Sequence, residues 1–311
     1  MSTSTSDPSP GPGTGRPRER PGTLLIFGLG YAAGAVARLA VAAGWRVVGT
    51  TGQAGPEQPD GIVRLPFDEA ASWLPQATHL LASAPPGQAG DPVLARYRDR
   101  IEAADPRWIG YFSTTGIYGD RAGGWVDETS APSPASGRAK RRIEAETQWR
   151  QVAASASAGV IDLMRIAGIY GPGRSAFDSL RGGQGRRILA PGHCFGRIHR
   201  DDIAGATFAA MQAPPAEARV LNLTDDLPEE SAVVTAYAAG LLGLAVPEGV
   251  PLDQAWPGMS PMARSFWSDN RKVSGRLTQQ ALGYDWRYPT YREGLAAILA
   301  EETGVAETGA G

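Results

Sequence analysis

Apolar residues fall into short runs along this chain, separated by amphipathic stretches. Thr23–Phe27 (TLLIF) is apolar at both parities after its first residue, which suits a strand buried on both faces. A glycine turn spans Gly28 to Gly34, and the Ala-rich segment after it predicts a helix to about Ala43. Trp45–Gly49 reads as a second strand, Gly61–Leu65 as a third and Thr78–Ala82 as a fourth. Asp91 and Pro92 supply an N-cap and a first-turn proline to a helix reaching Ala104. Trp108–Ser113 is a fifth strand, Gly137–Ala156 a helix and Val160–Arg165 a sixth strand. Strands alternating with helices at this spacing predict an α/β chain, a Rossmann doubly wound parallel sheet.

The second half is less regular. Pro, Gly and Arg crowd residues 171–197, short helices are expected near 202–212, 229–242 and 290–301, and Val220–Leu223 reads as a strand. The expected organisation is a disordered leader at 1–22, a dinucleotide-binding Rossmann domain at 23–170, a smaller C-terminal substrate lobe at 171–302 interleaved with the last sheet elements, and a disordered tail at 303–311. The leader is rich in Ser, Thr, Pro and Gly and lacks the apolar centre of a signal peptide. A net charge of −2 gives no pull towards nucleic acid, and no apolar run is long enough for a membrane span. The single cysteine, Cys194, excludes an internal disulfide framework and fits a reducing, cytoplasmic compartment.

The turn Gly28-Leu29-Gly30-Tyr31-Ala32-Ala33 matches G-x-G-x-x-G/A. In this pattern the first glycine permits the tight turn, the second lets backbone approach a pyrophosphate, and the small third residue lets helix and strand pack closely. Flanked by a buried strand and a helix, it predicts a dinucleotide site, with S-adenosylmethionine as an alternative ligand. The second strand ends in Thr50-Thr51-Gly52 rather than in the acid that would hold a ribose 2′-hydroxyl, so the expected cofactor is NADP, or else NAD. Asp68 is a candidate for the adenine side, and Ala84, with the Pro85-Pro86-Gly87 segment after it, for the nicotinamide side.

Four segments carry a further likeness: Ser113-Thr114-Thr115-Gly116-Ile117-Tyr118-Gly119, Leu163 through Gly173, Arg197 through Ala204, and Val220 through Asp226. In order and content they resemble the extended short-chain dehydrogenases/reductases of the NAD-dependent epimerase/dehydratase superfamily. The resemblance implies hydride transfer at nicotinamide C4, with Thr114 orienting the substrate oxygen and a Tyr-x-x-x-Lys pair supplying the acid/base and the ribose ligand. Lys140 stands at the lysine position, but Ser136 stands where the tyrosine belongs. A phenol can be brought towards neutrality by an adjacent cation, whereas an alkyl hydroxyl cannot serve as a base near pH 7. This departure, with the closing Arg287 to Gly294 segment, resembles the atypical, YeeZ-like group. Tyr118 is then a candidate replacement acid/base. Arg165, Tyr170, Arg197 and His199 are candidate substrate residues.

His193, Cys194 and His199 lack a fourth ligand at the spacing zinc prefers, so no metal is expected. Asp201 or Asp202 is the expected cap of a helix starting at Ile203. The expected activity is an NAD(P)-dependent oxidoreductase or epimerase-like reaction on a small polar, sugar-like or anionic substrate, with a homodimer as candidate assembly. The alternative is a non-catalytic NADP(H)-binding sensor.

Overall fold

The computed structural model describes residues 21–52, 59–155 and 160–304. Most of the expected leader and all of the expected tail beyond Gly304 lie outside the described residues. Seven parallel strands form the main sheet: β1 (Thr23–Phe27), β2 (Arg46–Thr51), β3 (Ile62–Pro66), β4 (His79–Ala82), β5 (Trp108–Thr114), β6 (Ile161–Ile166) and β7 (Arg219–Leu223). Their order is β7-β6-β5-β4-β1-β2-β3. The chain reverses direction across the sheet between β1 and β4, and a crevice opens there at the carboxyl ends of the strands.

The longer helices are α1 (Tyr31–Ala42), α2 (Pro92–Ala104), α3 (Gly137–Ser155), α4 (Arg200–Gln212), α5 (Ser231–Leu241) and α6 (Tyr291–Thr303). Strand period explains the apolar runs. Leu24 and Ile26 face the layer of α1 and α4, while Leu25 and Phe27 face the layer of α2 and α3. Both parities must be apolar because helices cover both faces. Asp91 caps α2 by accepting from the N–H groups of Val93 (2.9 Å) and Leu94 (3.1 Å), and its second oxygen accepts from Trp149 Nε1 on α3 (3.0 Å).

The lobe has its own small core of Tyr170, Phe177, Val234, Ala238, Tyr291, Leu295 and Ile298. Short two-stranded ladders separate from the main sheet organise the second half. Gly168–Tyr170 runs parallel to Arg197–His199, Cys194–Phe195 antiparallel to Glu229–Glu230, and Trp125–Val126 parallel to Lys272–Val273. No helix among the described residues is long and apolar enough to cross a membrane.

Most boundaries shift by a residue or two from the sequence pattern, and two shifts bear on the lobe. Helix α4 begins at Arg200, and its cap is His199, whose Nδ1 accepts from the Asp201 N–H (3.2 Å), so neither Asp201 nor Asp202 caps it. Asp202 is fully buried instead and accepts from the N–H groups of Arg287 (2.6 Å) and Tyr288 (3.0 Å), fastening the C-terminal segment to α4. The last helix runs to Thr303, two residues past its expected end, started by a capping box between Thr290 and Glu293.

Candidate functional site

A cleft of about 630 Å³ lies between the carboxyl ends of the strands and the lobe. Its lining includes Tyr31 and Ala32 from the start of α1, Ser83, Ser113 and Thr114 from the strand ends and the loop after β4, and Tyr170, Arg197, Trp267 and Arg271 from the C-terminal half.

The glycine turn is built from its backbone outward. Gly28 has φ of +91°, and a Cβ there would stand 3.0 Å from the Ala84 backbone nitrogen, so conformation and space both demand glycine. Leu29 N–H donates to Thr50 O (2.8 Å), and its side chain packs into the core beside Gly49. Ala33 is fully buried, which lets α1 sit close to the sheet. Gly30 is the N-cap of α1, has no side-chain cap, and a Cβ on it would meet no atom within 4 Å. Tyr31 crosses to the lobe, where its hydroxyl donates to Pro172 O (2.9 Å) and its ring lies under the guanidinium groups of Arg174 and Arg200.

Three expected cofactor residues, Thr50, Asp68 and Ala84, lie outside the cleft lining. Thr50 is buried, and its Oγ1 accepts from the Gly28 N–H (2.9 Å). It therefore braces the glycine turn from behind instead of facing a phosphate. Thr51 is half-buried at the end of β2, and residues 53–58 beyond it lie outside the described residues. Asp68 is exposed in the turn after β3, 3.4 Å from Arg96, and does not line the cleft. Ala84 packs behind Gly28, while its neighbour Ser83 lines the cleft.

Thr114 ends β5 and lines the cleft, with Oγ1 accepting from the Gly116 N–H (3.1 Å). Ser136 lines it as well, its Oγ accepting from the Ala139 N–H (3.2 Å) at the start of α3. Lys140 is exposed on α3 and outside the cleft lining, whereas Ala139 and Arg142 on the same helix face inward.

Tyr118 is turned away from the cleft. Its side chain is fully buried, its hydroxyl donates to Asn222 Oδ1 (2.8 Å) and accepts from Arg165 Nη1 (3.0 Å), and it does not line the cleft. Burial pushes its pKa up despite the nearby Arg165. Arg165 likewise lies outside the cleft lining. It is buried and pairs bidentately with Glu146 of α3 (2.9 and 3.2 Å), and Glu146 also accepts from Ser113 Oγ (2.6 Å).

Tyr170 and Arg197 do line the cleft. Burial first, then the Asp225 charge, raises the Tyr170 pKa, and Arg197 donates to the carbonyls of Phe195 (2.8 Å) and Glu229 (3.0 Å). His199 does not reach the cleft. The ladder with Gly168–Tyr170 turns it inward between the rings of Tyr170 and Tyr288, and its Nε2 has no hydrogen-bond partner among the described residues.

Burial holds the His199 pKa down to about 4 from its ordinary 6.5, with Asp201 opposing. Its neutral form is therefore favoured by folding. The stability this confers is complete above about pH 6.5 and declines as pH falls towards 4, by up to about 3 kcal/mol. Urea midpoints measured across that window should fall steeply for the wild type and less steeply for His199→Gln. Identical slopes would remove His199 as the cause.

Sequence reasoning missed Arg138, Arg142, Asp269 and Arg271, all of which line the cleft. Arg142 lies on the buried face of α3, a signal available from helical phase, and the exposed Arg138 one turn earlier reaches the cleft from the start of that helix. Asp269 and Arg271 reach the site through the two-residue ladder with Trp125–Val126, about 145 positions away, and no local pattern announces that.

No protein-family model matches the chain. The protein YeeZ of Escherichia coli strain K12 is 29% identical over 187 residues, which span 59% of this chain and 59% of that relative's length. A solved structure of a conserved protein of unknown function from Silicibacter pomeroyi is 43% identical, covers 90% of this chain and 99% of its own, and superposes with a TM-score of 0.83. The human epimerase family protein SDR39U1, solved with NADPH, is 20% identical over 88% of this chain and 98% of its own, with a TM-score of 0.68. The last likeness is one of fold.

Proposed function

We propose that this chain, which is similar to YeeZ in sequence and to epimerase/dehydratase structures in fold, is an atypical short-chain dehydrogenase/reductase that holds NADP(H) in its cleft and transfers hydride to or from a small polar substrate. One observation carries this reading. A single continuous cleft joins the glycine turn at Tyr31 and Ala32 to the hydroxyls of Thr114 and Ser136. The open space over Gly30 and the uncapped start of α1 suit a pyrophosphate, which would take the N–H groups of the first helical turn. The preference for NADP rests on the carboxylate-free Thr50-Thr51-Gly52 sequence.

The bound nicotinamide would supply the hydride donor or acceptor. Thr114 Oγ1 already accepts a backbone N–H, which leaves its own O–H to donate to the substrate oxygen. Ser136 is placed to do the same on the α3 side. Neither alkyl hydroxyl is a base near neutrality, so the proton moves through Ser136 and water or from the substrate itself.

A second reading, a protein that binds NADP(H) without turnover, draws on the position of the phenols. The tyrosines lining the cleft, Tyr31 and Tyr170, point their hydroxyls at the carbonyls of Pro172 (2.9 Å) and Thr290 (3.4 Å) rather than at Thr114. Absorbance at 340 nm with a panel of carbonyl and alcohol substrates separates the two. Hydride transfer predicts turnover that Thr114→Val lowers about hundredfold in kcat with little change in NADPH affinity. Tight NADPH binding with no turnover across the panel supports the sensor reading.

A further inference from the structure

The cleft carries more positive charge than a dinucleotide would use. Among the described residues its lining holds five arginines and a single acid, Asp269. A pyrophosphate at the start of α1 would lie near Arg174, which covers Tyr31, whereas Arg271 stands near Thr114 and Arg138 lines the cleft from α3.

Arg271 is held there with care. Its side chain is 16% exposed, Nη1 donates to Gly119 O (3.2 Å) and lies 3.3 Å from Asp269, and its buried Nε has no hydrogen-bond partner among the described residues. A methyl group built on Gly116 would sit 3.3 Å from Thr114 Oγ1 and 3.7 Å from Arg271 Nη2. One point in the cleft is therefore within 4 Å of both a hydroxyl and a guanidinium. Arg138, in the first turn of α3, lines the same cleft and lies 5.7 Å from the ring of Phe266, which lines it too. Asp269 offsets one of these two positive charges and leaves the other without an acidic counterpart in the lining.

We propose that Arg271, with Arg138 and Thr114, forms an oxyanion subsite that holds a carboxylate or phosphate of the substrate next to its reacting carbon. The proposal rests on the reading of Thr114 as the residue that meets the reacting oxygen. A guanidinium fixed by a carbonyl and a carboxylate is already oriented, so little side-chain entropy is lost when its planar fork meets an oxyanion. In the partly buried cleft that pairing is also less screened by water and salt than at the surface. Substrates lacking the anion would leave the guanidinium desolvated and unpaired, which makes the subsite a selector as well as an anchor.

The test is calorimetric titration of the full chain with oxalate and with inorganic phosphate, each with and without saturating NADPH. The two probes separate a carboxylate preference from a phosphate preference. The wild type is expected to bind at least one of them. Arg271→Lys, which keeps the charge and loses the fork, and Arg138→Leu should each weaken that binding about tenfold. NADPH affinity should change less than about twofold in both variants. Arg271→Met should weaken oxyanion binding further, and the other two variants carry the test if it does not fold. Unchanged oxyanion affinity in Arg271→Lys and Arg138→Leu overturns the proposal, as does a wild type that binds neither probe. A parallel loss of NADPH affinity overturns it too, by assigning Arg271 to the dinucleotide. Failure of the wild type to bind NADPH overturns the cofactor reading, while the titrations without NADPH still judge the subsite.

Discussion

Arg165→Met will lower the unfolding free energy by about 3–5 kcal/mol, the largest single loss expected from this fold outside its apolar core. The reason is the partner left behind. Glu146 is 2% exposed, and its carboxylate is matched by the guanidinium of Arg165 through two contacts and by the hydroxyl of Ser113. With Arg165 removed, a buried negative charge keeps one neutral donor. The Tyr118 hydroxyl loses a donor in the same step. The consequence reaches the site, because Arg165 pairs in register with Ser113 across β5 and β6, and Thr114 is the next residue. Adding Glu146→Gln removes the stranded charge, so the double variant should be more stable than Arg165→Met alone, with a coupling of about 2 kcal/mol between the two positions. Urea unfolding followed by circular dichroism measures all three. Additive losses would mean that the ion pair is not the source of the effect.

The sheet was legible because a parallel strand covered on both faces must be apolar at successive positions, and helices must intervene between such strands. β1 and α2 fall on the residues that the pattern marks, and the other strands fall within two. The glycine turn was legible for the same reason, since its pattern has meaning only between a buried strand and a helix. Side-chain roles were harder to read. Tyr118 lies four residues after Thr114, but the tight turn at Thr115–Tyr118 rotates its phenol towards Asn222, a partner 104 positions away. On α3, a rotation of one residue decides that Ala139 lines the cleft and Lys140 is exposed. Thr50 has the right chemistry for a phosphate and the wrong surroundings, because burial has committed its hydroxyl to Gly28. A pattern along the chain fixes which residues can meet in an element. It does not fix which way a side chain turns once distant elements compete for it.

Gly30→Asp will weaken NADPH binding about hundredfold or more without lowering the stability of the fold. The backbone at Gly30 is ordinary, with φ of −91° and ψ of −166°, so any residue can adopt it. A side chain there meets no atom within 4 Å. Aspartate is also a better N-cap than glycine and stands at the positive end of α1, which together favour folding by about 0.5 kcal/mol. The same carboxylate would occupy the space proposed for the pyrophosphate and repel it by about 4 kcal/mol per unit charge at 4 Å and an effective dielectric of about 20. Gly28→Ala provides the contrast. With φ of +91° and the Ala84 backbone 3.0 Å from the added carbon, it should destabilise the fold by about 1–3 kcal/mol. The two glycines of one motif would thus separate, Gly28 serving the chain and Gly30 serving the ligand. Thermal melting and an NADPH titration of each variant measure the difference. Undiminished NADPH affinity in Gly30→Asp would move the dinucleotide away from this turn and with it the proposed direction of the whole cleft.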